Sequence, residues 1–369
     1  MERQLKRVID AHPMLITAHY VSLIDWTDPN DPIRKMAIPS RQELNLEGIY
    51  DTSGEGENTK IPGLQHKYSE TALILVTNNC VTYCRHCFRK RLVGLPTEEI
   101  LKRLEDAAEY IEKHTEINNV LVSGGDPLTL CNKTLEKILD LLTRIPHIKF
   151  IRIGTRVPVT YPNRFEDNEL LEIFKKYSTS EKRLYLVTQF NHPREICSQS
   201  IRAASHLVDA GVLLNNQTVL LRGVNDKPEI LASLMDKLVS IGIAPYYVFQ
   251  CRPLTRVKRH FQVPLCESLR IVEKAKAQCN GFSKRFKYVM SHFTGKIEIL
   301  GIIDGEIYFK YHEAKDRKNI GLLFKRPVNE SAGWLDDFTP YEEQTNEELK
   351  IKHKVICSTS NGNTGKQAN

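Results

Sequence analysis

The sequence has no long apolar run, and this absence excludes a large class of proteins. No uninterrupted apolar stretch reaches the roughly 18 residues that a membrane-spanning helix needs. Asp10 and His12 interrupt the first part of the chain, so we expect no signal peptide. The nine cysteines therefore predict reduced thiols in a cytoplasmic protein and not a disulfide framework.

The sequence also lacks a strong excess of charge of one sign. Fifty-two Lys and Arg residues against 45 Asp and Glu residues leave a net charge of +7, which is spread along the chain. Proteins that bind nucleic acids usually concentrate their basic residues more than this. We therefore expect neither a nucleic acid nor a membrane as a partner, and the 41% hydrophobic content is that of an ordinary globular protein.

Six short apolar runs, separated by segments of helical length, predict a parallel α/β architecture. The runs are Ala72–Thr77, Asn119–Ser123, Phe150–Thr155, Leu184–Gln189, Gln217–Leu221 and Pro245–Gln250. The helical segments are Thr97–His114, Cys131–Ile145, Asn168–Tyr177, Pro193–Ala210 and Lys227–Ile241. Polar residues follow nearly every run, as in barrels that build their site at the carboxyl ends of the strands. We predict a partial (β/α)6 barrel, with a doubly wound sheet as the alternative.

The chain on either side of the barrel differs in pattern, which predicts four segments. They are an N-terminal helical and extended segment (1–71), the barrel (72–285), a C-terminal segment with a β-hairpin (286–343) and a flexible tail (344–369). The first segment opens with a helix predicted over Met1–Ala18. The hairpin is predicted because Asp304-Gly305 stands between two runs that alternate apolar and polar residues.

The strongest chemical signal is the spacing of three cysteines directly after the first predicted strand. Cys80, Cys84 and Cys87 lie within TNNCVTYCRHC. A structural zinc ion needs four ligands, and His86 is the available fourth, but it is cramped between two of the cysteines and no second cysteine pair follows. Three thiolates on one loop suit a [4Fe–4S] cluster whose fourth iron has no protein ligand.

This loop and several further motifs resemble the lysine 2,3-aminomutase family of the radical SAM superfamily. The matching segments, in the order of the family and over roughly residues 27–300, are DPNDPIRKMAIP, PGLQHKY, TNNCVTYCRHC, SGGDPL, RIGTRVP, FNHPREI, AGVLLNNQTVLLRGVND and PYYVFQC. The resemblance implies that the cluster binds S-adenosylmethionine and cleaves it to a 5′-deoxyadenosyl radical. It also implies that Gly124, Gly125 and Asp126 hold the methionine end, with His192 and Gln217 near the rest of the cofactor.

The resemblance further implies a pyridoxal phosphate site, with departures from the family pattern. Lys296 stands at the position of the lysine that forms the Schiff base, although the family's glycine run is reduced to Gly295. Lys67 and Tyr68 match an Arg-Tyr pair that contacts this cofactor. A further family arginine is replaced by Thr71, so one bidentate phosphate partner is lost.

The substrate end departs from the lysine-specific pattern most strongly. Arg89 matches the arginine that pairs with the α-carboxylate of the substrate. Of the two aspartates that bind the distal ammonium of lysine, one is replaced by Arg252 and the other by Val289. An arginine in a pocket for a second cation is unfavourable, because like charges in a low dielectric repel. These residues predict an acidic or neutral substrate instead of lysine.

Three hypotheses for the function follow from these observations. The first is a radical 2,3-aminomutase, an isomerase that moves an amino group from C2 to C3 of an amino acid. The alternatives are a radical SAM enzyme that works without pyridoxal phosphate, and a non-enzymatic metal-binding module. The enzyme hypotheses imply an electron donor of the flavodoxin or ferredoxin type, and the sequence leaves open whether the chain forms a homo-oligomer.

Overall fold

The backbone is organised around one mixed β-sheet. The computed structural model describes residues 2–338, so the tail predicted at 344–369 lies outside the described residues. Its strands are β1 (Thr59–Ile61), β2 (Leu64–Tyr68), β3 (Thr71–Thr77), β4 (Asn119–Gly124), β5 (Phe150–Gly154), β6 (Arg183–Thr188), β7 (Leu213–Leu220), β8 (Ala244–Gln250), β9 (Lys287–His292), β10 (Gly295–Ile303), β11 (Glu306–Ala314) and β12 (Leu323–Pro327). They lie side by side in the order of the chain. Strands β3 to β9 pair in parallel, and the strands before β3 and after β9 pair antiparallel.

The sheet confirms the predicted partial (β/α)6 barrel. The six predicted strands correspond to β3 to β8, although β7 begins earlier than predicted, at Leu213. A doubly wound sheet reverses its strand order at a switch point, and the order within residues 2–338 contains no such reversal. Strands β1, β2 and β9 were not predicted, and they extend the sheet across the proposed segment boundaries at 71/72 and 285/286. Those boundaries stay a prediction about the sequence segments.

Helices cover the sheet, and three of them are several residues shorter than predicted, including the one predicted over Pro193–Ala210, which begins at Ser198. They are α1 (Glu2–Ala11), α2 (Ala18–Ser22), α3 (Pro32–Ala37), α4 (Glu55–Asn58), α5 (Leu104–Lys113), α6 (Asn132–Arg144), α7 (Val157–Thr160), α8 (Asn168–Tyr177), α9 (Ser198–Asp209), α10 (Pro228–Ser240), α11 (Lys258–Phe261) and α12 (Leu265–Gln278). The helix predicted over Met1–Ala18 ends at Ala11, because Pro13 biases the residue before it away from the helical conformation. Helix α5 begins at Leu104 and not at Thr97. The N–H of Leu101 donates to the carbonyl of Leu75, at 2.8 Å, which ties that segment to β3.

None of the helices described for residues 2–338 has the length and apolar character of a membrane span.

The predicted β-hairpin is present as β10 and β11. Asp304 and Gly305 connect the two strands with φ angles of +50° and +77°. Two consecutive left-handed residues are typical of the tight turn whose twist matches that of the flanking strands. The hairpin continues the sheet, because β10 also pairs with β9.

A buried ion cluster joins the N-terminal segment to the loop that carries the three cysteines. Glu43 accepts hydrogen bonds from Arg85 Nη2 at 2.6 Å and from Lys90 Nζ at 2.7 Å. All three residues are buried. Burial would raise the pKa of Glu43, but the charges of Lys90 and Arg85 lower it below its usual value. The carboxylate therefore stays ionised and compensates two buried cations.

We expect Glu43→Gln to lower the free energy of unfolding by about 3–5 kcal/mol, because it leaves Arg85 and Lys90 buried without their counter-charge. Urea titration followed by circular dichroism measures this loss. The control is Glu109→Gln, which removes an exposed ion pair with Lys113 and should cost less than about 1 kcal/mol. A loss for Glu43→Gln that is no larger than that of the control would contradict the structural role of the cluster.

Candidate functional site

A cavity of about 350 Å³ runs from the carboxyl ends of the parallel strands into the interior of the barrel. All but one of the predicted site residues line it. They are Lys67, Tyr68, Cys80, Cys84, Cys87, Arg89, Gly124, Gly125, Asp126, Gln217, Arg252 and Lys296. The barrel thus brings together residues that lie up to 229 positions apart in the sequence (67 to 296).

His192 is the predicted residue that does not line the cavity. Pro193 begins a short 3-10 turn, and the Nδ1 atom of His192 accepts a hydrogen bond from the N–H of Arg194 at 3.2 Å. The histidine is buried, and burial lowers its pKa to about 4. The structure therefore shows His192 as the cap of this turn, and its contact with the cofactor stays a prediction.

The cysteine loop packs against the turn after β4 through backbone contacts. The N–H of Gly125 donates to the carbonyl of Thr77 at 2.6 Å, and the N–H of Asp126 donates to that of Asn79 at 2.7 Å. A Cβ atom at Gly124 would lie 2.2 Å from the Thr77 oxygen, and one at Gly125 would lie 2.2 Å from the Asn79 oxygen. Glycine is therefore required at both positions because the backbone of the cysteine loop fills the space that a side chain would occupy.

The surroundings of the loop disfavour the thiolate form of two of its three cysteines. Burial, Asp126 and the other two thiols all raise the pKa of Cys80, and burial raises that of Cys87 to about 11. Binding to iron as thiolates would therefore require compensating positive charge. Arg156 provides part of it, since its Nη1 atom donates to the Sγ atom of Cys84 at 2.7 Å.

A single zinc ion is the alternative occupant of the cysteine loop. Zinc draws its ligands to about 2.3 Å from one centre, and no three His, Cys, Asp or Glu side chains in residues 2–338 are grouped in a way that could hold one metal ion. A four-iron cluster binds each thiolate at a separate iron, so its ligands stand farther apart. His86, the alternative fourth zinc ligand, has its Nε2 atom 3.3 Å from the side-chain nitrogen of Asn191.

Asp126 connects the ends of β4 and β5. Its carboxylate accepts from the hydroxyl of Thr155 at 2.7 Å and from the N–H of Arg156 at 2.7 Å, and it also caps the turn at Leu128. Burial raises the pKa of Asp126 to about 6, although these hydrogen bonds oppose the rise. Its contacts orient the turns after β4 and β5, and its predicted contact with the methionine end of the cofactor stays a prediction.

Arg156 is a site residue that the sequence reasoning did not select. Its Nη2 atom donates to Glu195 at 2.6 Å and to the hydroxyl of Tyr20 at 3.1 Å, while its Nη1 atom faces Cys84. The arginine follows β5 within RIGTRVP, one of the motifs that carry the family resemblance. The position of Arg156 within this motif could have identified it as a site residue.

Arg89 faces the cavity next to a buried carboxylate that was also not predicted. Its Nε atom lies 3.3 Å from Glu55 Oε1, and its Nη1 atom donates to the hydroxyl of Ser123 at 2.9 Å. Glu55 also pairs with Arg91 at 2.7 Å. Burial would raise the pKa of Glu55, but Arg89 and Arg91 lower it. Glu55 is the first residue of the short helix α4, and nothing in the sequence distinguished it from other surface acids.

Arg252 and Arg89 both lie against the ring of Phe88. The Cζ atoms of Arg252 and Arg89 are 4.4 Å and 4.5 Å from the centre of the Phe88 ring. Arg252 donates to the hydroxyl of Ser53 at 2.7 Å and lies 3.3 Å from that of Thr52. Within residues 2–338, no carboxylate lies within ion-pair distance of Arg252, and burial lowers its pKa.

Lys67 and Tyr68 line the cavity from β2. The Nζ atom of Lys67 donates to the carbonyls of His292, at 2.6 Å, and Ser53, at 3.2 Å. Burial and the nearby charges of Arg252 and Lys296 lower the pKa of Lys67 to about 7. Two of the three ammonium hydrogens of Lys67 are thus directed to backbone carbonyls, which leaves one for a phosphate.

Lys296 is fixed in the cavity by an ion pair and two aromatic rings. Its Nζ atom lies 2.6 Å from Glu313 Oε2, 4.7 Å from the centre of the Tyr247 ring and 5.7 Å from that of Tyr68. A Cβ atom at Gly295 would lie 2.3 Å from the carbonyl oxygen of Glu313. The retained glycine therefore allows β10 to approach β11 closely at the position of the lysine.

Two further polar groups of the cavity lack partners that such buried groups usually have. The Nε2 atom of Gln65 and the Nε atom of Arg152 are buried without a hydrogen-bond partner, and both residues line the cavity. Buried donors are nearly always satisfied. Together with the amine of Lys296 and the hydroxyl of Tyr68, these unsatisfied donors fit a cofactor that carries an aldehyde and an anionic group.

Comparison with known proteins gives the family. The radical SAM superfamily model matches residues 74–235. A putative L-lysine 2,3-aminomutase from Aquifex aeolicus is 46% identical over 341 residues, 91% of this chain and 90% of that protein. The L-lysine 2,3-aminomutase of Clostridium subterminale is 41% identical over 76% of this chain and 67% of its own length. The glutamate 2,3-aminomutase of Clostridioides difficile is 38% identical over 73% of this chain and 63% of its own length.

Similarity to solved structures is weaker. Coproporphyrinogen III oxidase from Escherichia coli, described as a radical SAM enzyme, is 10% identical over 72% of this chain and 73% of that one. Its TM-score of 0.35 is too low to support an assignment. The full-length similarity to the Aquifex aeolicus protein is decisive by comparison. The chain belongs to the lysine 2,3-aminomutase family of the radical SAM superfamily, whose enzymes use a [4Fe–4S] cluster and S-adenosylmethionine.

Proposed function

We propose that this protein is a pyridoxal-phosphate-dependent radical 2,3-aminomutase whose substrate is an amino acid with a carboxylate in its side chain. The proposal rests on the contacts of the Arg252 guanidinium. This group is partly buried at the cavity with only neutral hydroxyl partners and no carboxylate at ion-pair distance within residues 2–338. Glu55 and Asp51 act on it from longer range, so a ligand that supplies a carboxylate in direct contact would stabilise it.

The distance between the two cavity arginines favours a short dicarboxylic amino acid. The guanidinium carbons of Arg89 and Arg252 are at most about 9 Å apart, because both lie within 4.5 Å of the Phe88 ring centre. A molecule of the size of aspartate or glutamate could present its α-carboxylate to Arg89 and its distal carboxylate to Arg252. The similarity to a glutamate 2,3-aminomutase is consistent with this assignment.

The same residues argue against lysine, although relatives named for lysine have higher identity. A distal ammonium would meet Arg252 in place of an acid, and Val289, at the second replaced position, is fully buried. Glu55 is already shared between Arg89 and Arg91. The cavity wall around Arg252 therefore offers a second cation no free carboxylate among the described residues.

Each group of residues would have a separate task in this reaction. When bound, the cluster with S-adenosylmethionine supplies a carbon radical that removes a hydrogen atom, and pyridoxal phosphate supplies the aldehyde that carries the migrating nitrogen. Cys80, Cys84 and Cys87 would hold the cluster, and the turn Gly124–Asp126 would border the S-adenosylmethionine site with Gln217. An external donor of the flavodoxin or ferredoxin type would supply the electron.

For pyridoxal phosphate, Lys296 would provide the amine, and the unsatisfied donors of Gln65 and Arg152 would face the anionic group. Tyr68 would border the ring.

A second candidate function is a radical SAM reaction without pyridoxal phosphate. It is favoured by the contacts of the two lysines, since Lys67 is bound to two carbonyls and Lys296 to Glu313. The replacement of a family arginine by Thr71 also favours a reaction without pyridoxal phosphate. The unsatisfied donors of Gln65 and Arg152 favour the first candidate, because they remain unexplained without an anionic ligand.

We expect Cys80→Ala, Cys84→Ala and Cys87→Ala each to remove most of the brown iron–sulfur chromophore and to abolish cleavage of S-adenosylmethionine. Each thiolate would hold a separate iron, so none can be replaced by the others. Iron content and absorption near 400 nm, after anaerobic reconstitution, measure the loss. Cys131→Ala, at an exposed cysteine, is the control and should retain the cluster. If the iron content depended equally on Cys131 or Cys251, that result would contradict a cluster held by three cysteines.

We expect borohydride to attach pyridoxal phosphate covalently to Lys296 in the reconstituted protein. The attachment should be absent in Lys296→Ala and unchanged in Lys287→Ala, a lysine on β9 that pairs with Glu298. Peptide mass spectrometry locates the modified lysine. Attachment to Lys67, or to no lysine, would favour the second candidate function or a different geometry of the site.

We expect Arg252→Asp to weaken the use of a dicarboxylic amino acid by about 10–150-fold in kcat/KM, equivalent to about 1.5–3 kcal/mol for a lost charge-assisted hydrogen bond. The assay follows deuterium transfer between substrate and 5′-deoxyadenosine for a panel of amino acids. Arg222→Asp, at a half-exposed arginine outside the cavity lining, is the matched control. Efficient turnover of free L-lysine by the unmodified protein would refute the assignment of Arg252.

A further inference from the structure

The pairing of β10 with β11 places a partly exposed carboxylate against the cavity lysine. Lys296 and Glu313 are register partners across the two antiparallel strands, so their side chains project from the same face of the sheet. Their charged atoms are 2.6 Å apart, and both residues line the cavity. The glycine next to the lysine, Gly295, keeps the two strands close at this point.

The surroundings of the pair favour an ammonium ion. The Lys296 nitrogen lies over the faces of Tyr247 and Tyr68, an arrangement that stabilises cations. Burial would raise the pKa of Glu313, but Lys296 lowers it below its usual value. The other titratable groups that face the pair are Lys67 and Tyr68 on β2, Arg152 on β5, Tyr247 on β8 and His312 on β11.

An ammonium ion cannot attack a carbonyl carbon, so reaction of Lys296 with an aldehyde requires a proton acceptor. Among the described residues, Glu313 is the carboxylate in ion-pair contact with this nitrogen. We propose that Glu313 is a positioning residue that holds Lys296 as an ammonium ion before the cofactor binds and accepts its proton when the amine attacks a carbonyl group. This inference rests on the proposed function, in which the carbonyl group belongs to pyridoxal phosphate.

The step balances without a further reactant. One proton moves from Lys296 Nζ to Glu313 Oε2, and the freed electron pair on nitrogen forms the bond to the carbonyl carbon. The carbonyl oxygen leaves as water with the two hydrogens that remain on the nitrogen. No oxidant or reductant is needed, and Glu313 ends the step as a neutral carboxylic acid.

The test measures the reactivity of Lys296 towards a small aldehyde, independently of pyridoxal phosphate and of turnover. The full-length protein is treated with formaldehyde and cyanoborohydride between pH 6 and 10, and methylation of the Lys296 peptide is followed by mass spectrometry. For Glu313→Gln we expect the midpoint of the pH profile to fall by at least about one unit, because the counter-charge of the ammonium is lost. Above both midpoints, where Lys296 is a free amine in both proteins, the two methylation rates should converge.

Two variants control for folding and for general effects of charge. Glu313→Asp keeps a carboxylate and should restore most of the midpoint shift. Glu298→Gln, on β10 and paired with Lys287 outside the cavity, should leave the Lys296 profile unchanged. A role of Glu313 limited to strand packing would alter the thermal unfolding of Glu313→Gln without moving the pH midpoint, and this outcome would overturn the inference.

The inference and the proposed function can fail separately. If formaldehyde reactivity responds to Glu313 as expected but borohydride attaches no pyridoxal phosphate to Lys296, the proposed function fails and the role of Glu313 stands. If pyridoxal phosphate attaches to Lys296 but the midpoint does not move in Glu313→Gln, the inference fails and the proposed function stands.

Discussion

The close contact between two backbone segments is the constraint on which the rest of the site depends. The turn after β4 forms two hydrogen bonds with the cysteine loop, and the absence of side chains at Gly124 and Gly125 makes this approach possible. Asp126 then fixes the adjacent turn after β5 by accepting hydrogen bonds from Thr155 and Arg156. Three consecutive elements of the barrel are thus held in one arrangement, which places Arg156 against Cys84. Backbone contacts of this kind tolerate little adjustment, because a single methyl group would overlap a carbonyl oxygen.

The distribution of charge in the cavity explains which of its groups are available to ligands. Two carboxylates, the buried Glu55 and the partly exposed Glu313, pair with Arg89 and Lys296. The family resemblance assigns both of these cations to a ligand. Each of these cations is therefore stabilised without a ligand and must share or exchange its partner when one binds. Arg252 differs, because its partners are hydroxyl groups. Arg252 therefore has weaker contact with negative charge than Lys296 has, which supports the proposal that a carboxylate of the substrate binds at Arg252.

Sequence patterns predicted the barrel because a buried parallel strand needs a continuous apolar run, and β3 to β8 have such runs. The same criterion missed β1, β2 and β9, since those strands are short or include charged residues such as Lys67 and Lys287. Spacing along the chain identified the cysteines, which act within one loop. It could not identify Glu55 and Glu313, because their importance comes only from contacts with residues far away in the sequence. The contact of Gly124 and Gly125 with the methionine end of S-adenosylmethionine stays a prediction, and the structure shows that the backbone of the cysteine loop lies against both glycines.

The reduction of the family's glycine run to Gly295 changes how the cavity lysine is positioned. A lysine in a glycine-rich loop would have many backbone conformations, and ordering it on binding would cost conformational entropy. Here Lys296 belongs to β10, and hydrogen bonds with β9 and β11 fix its backbone. The remaining freedom is in the side chain, which the ion pair and the two tyrosine rings restrict further. In the proposed function, reaction at this lysine therefore depends on breaking one short ion pair and not on ordering a loop. The carboxylate partner then controls the reactivity of the amine.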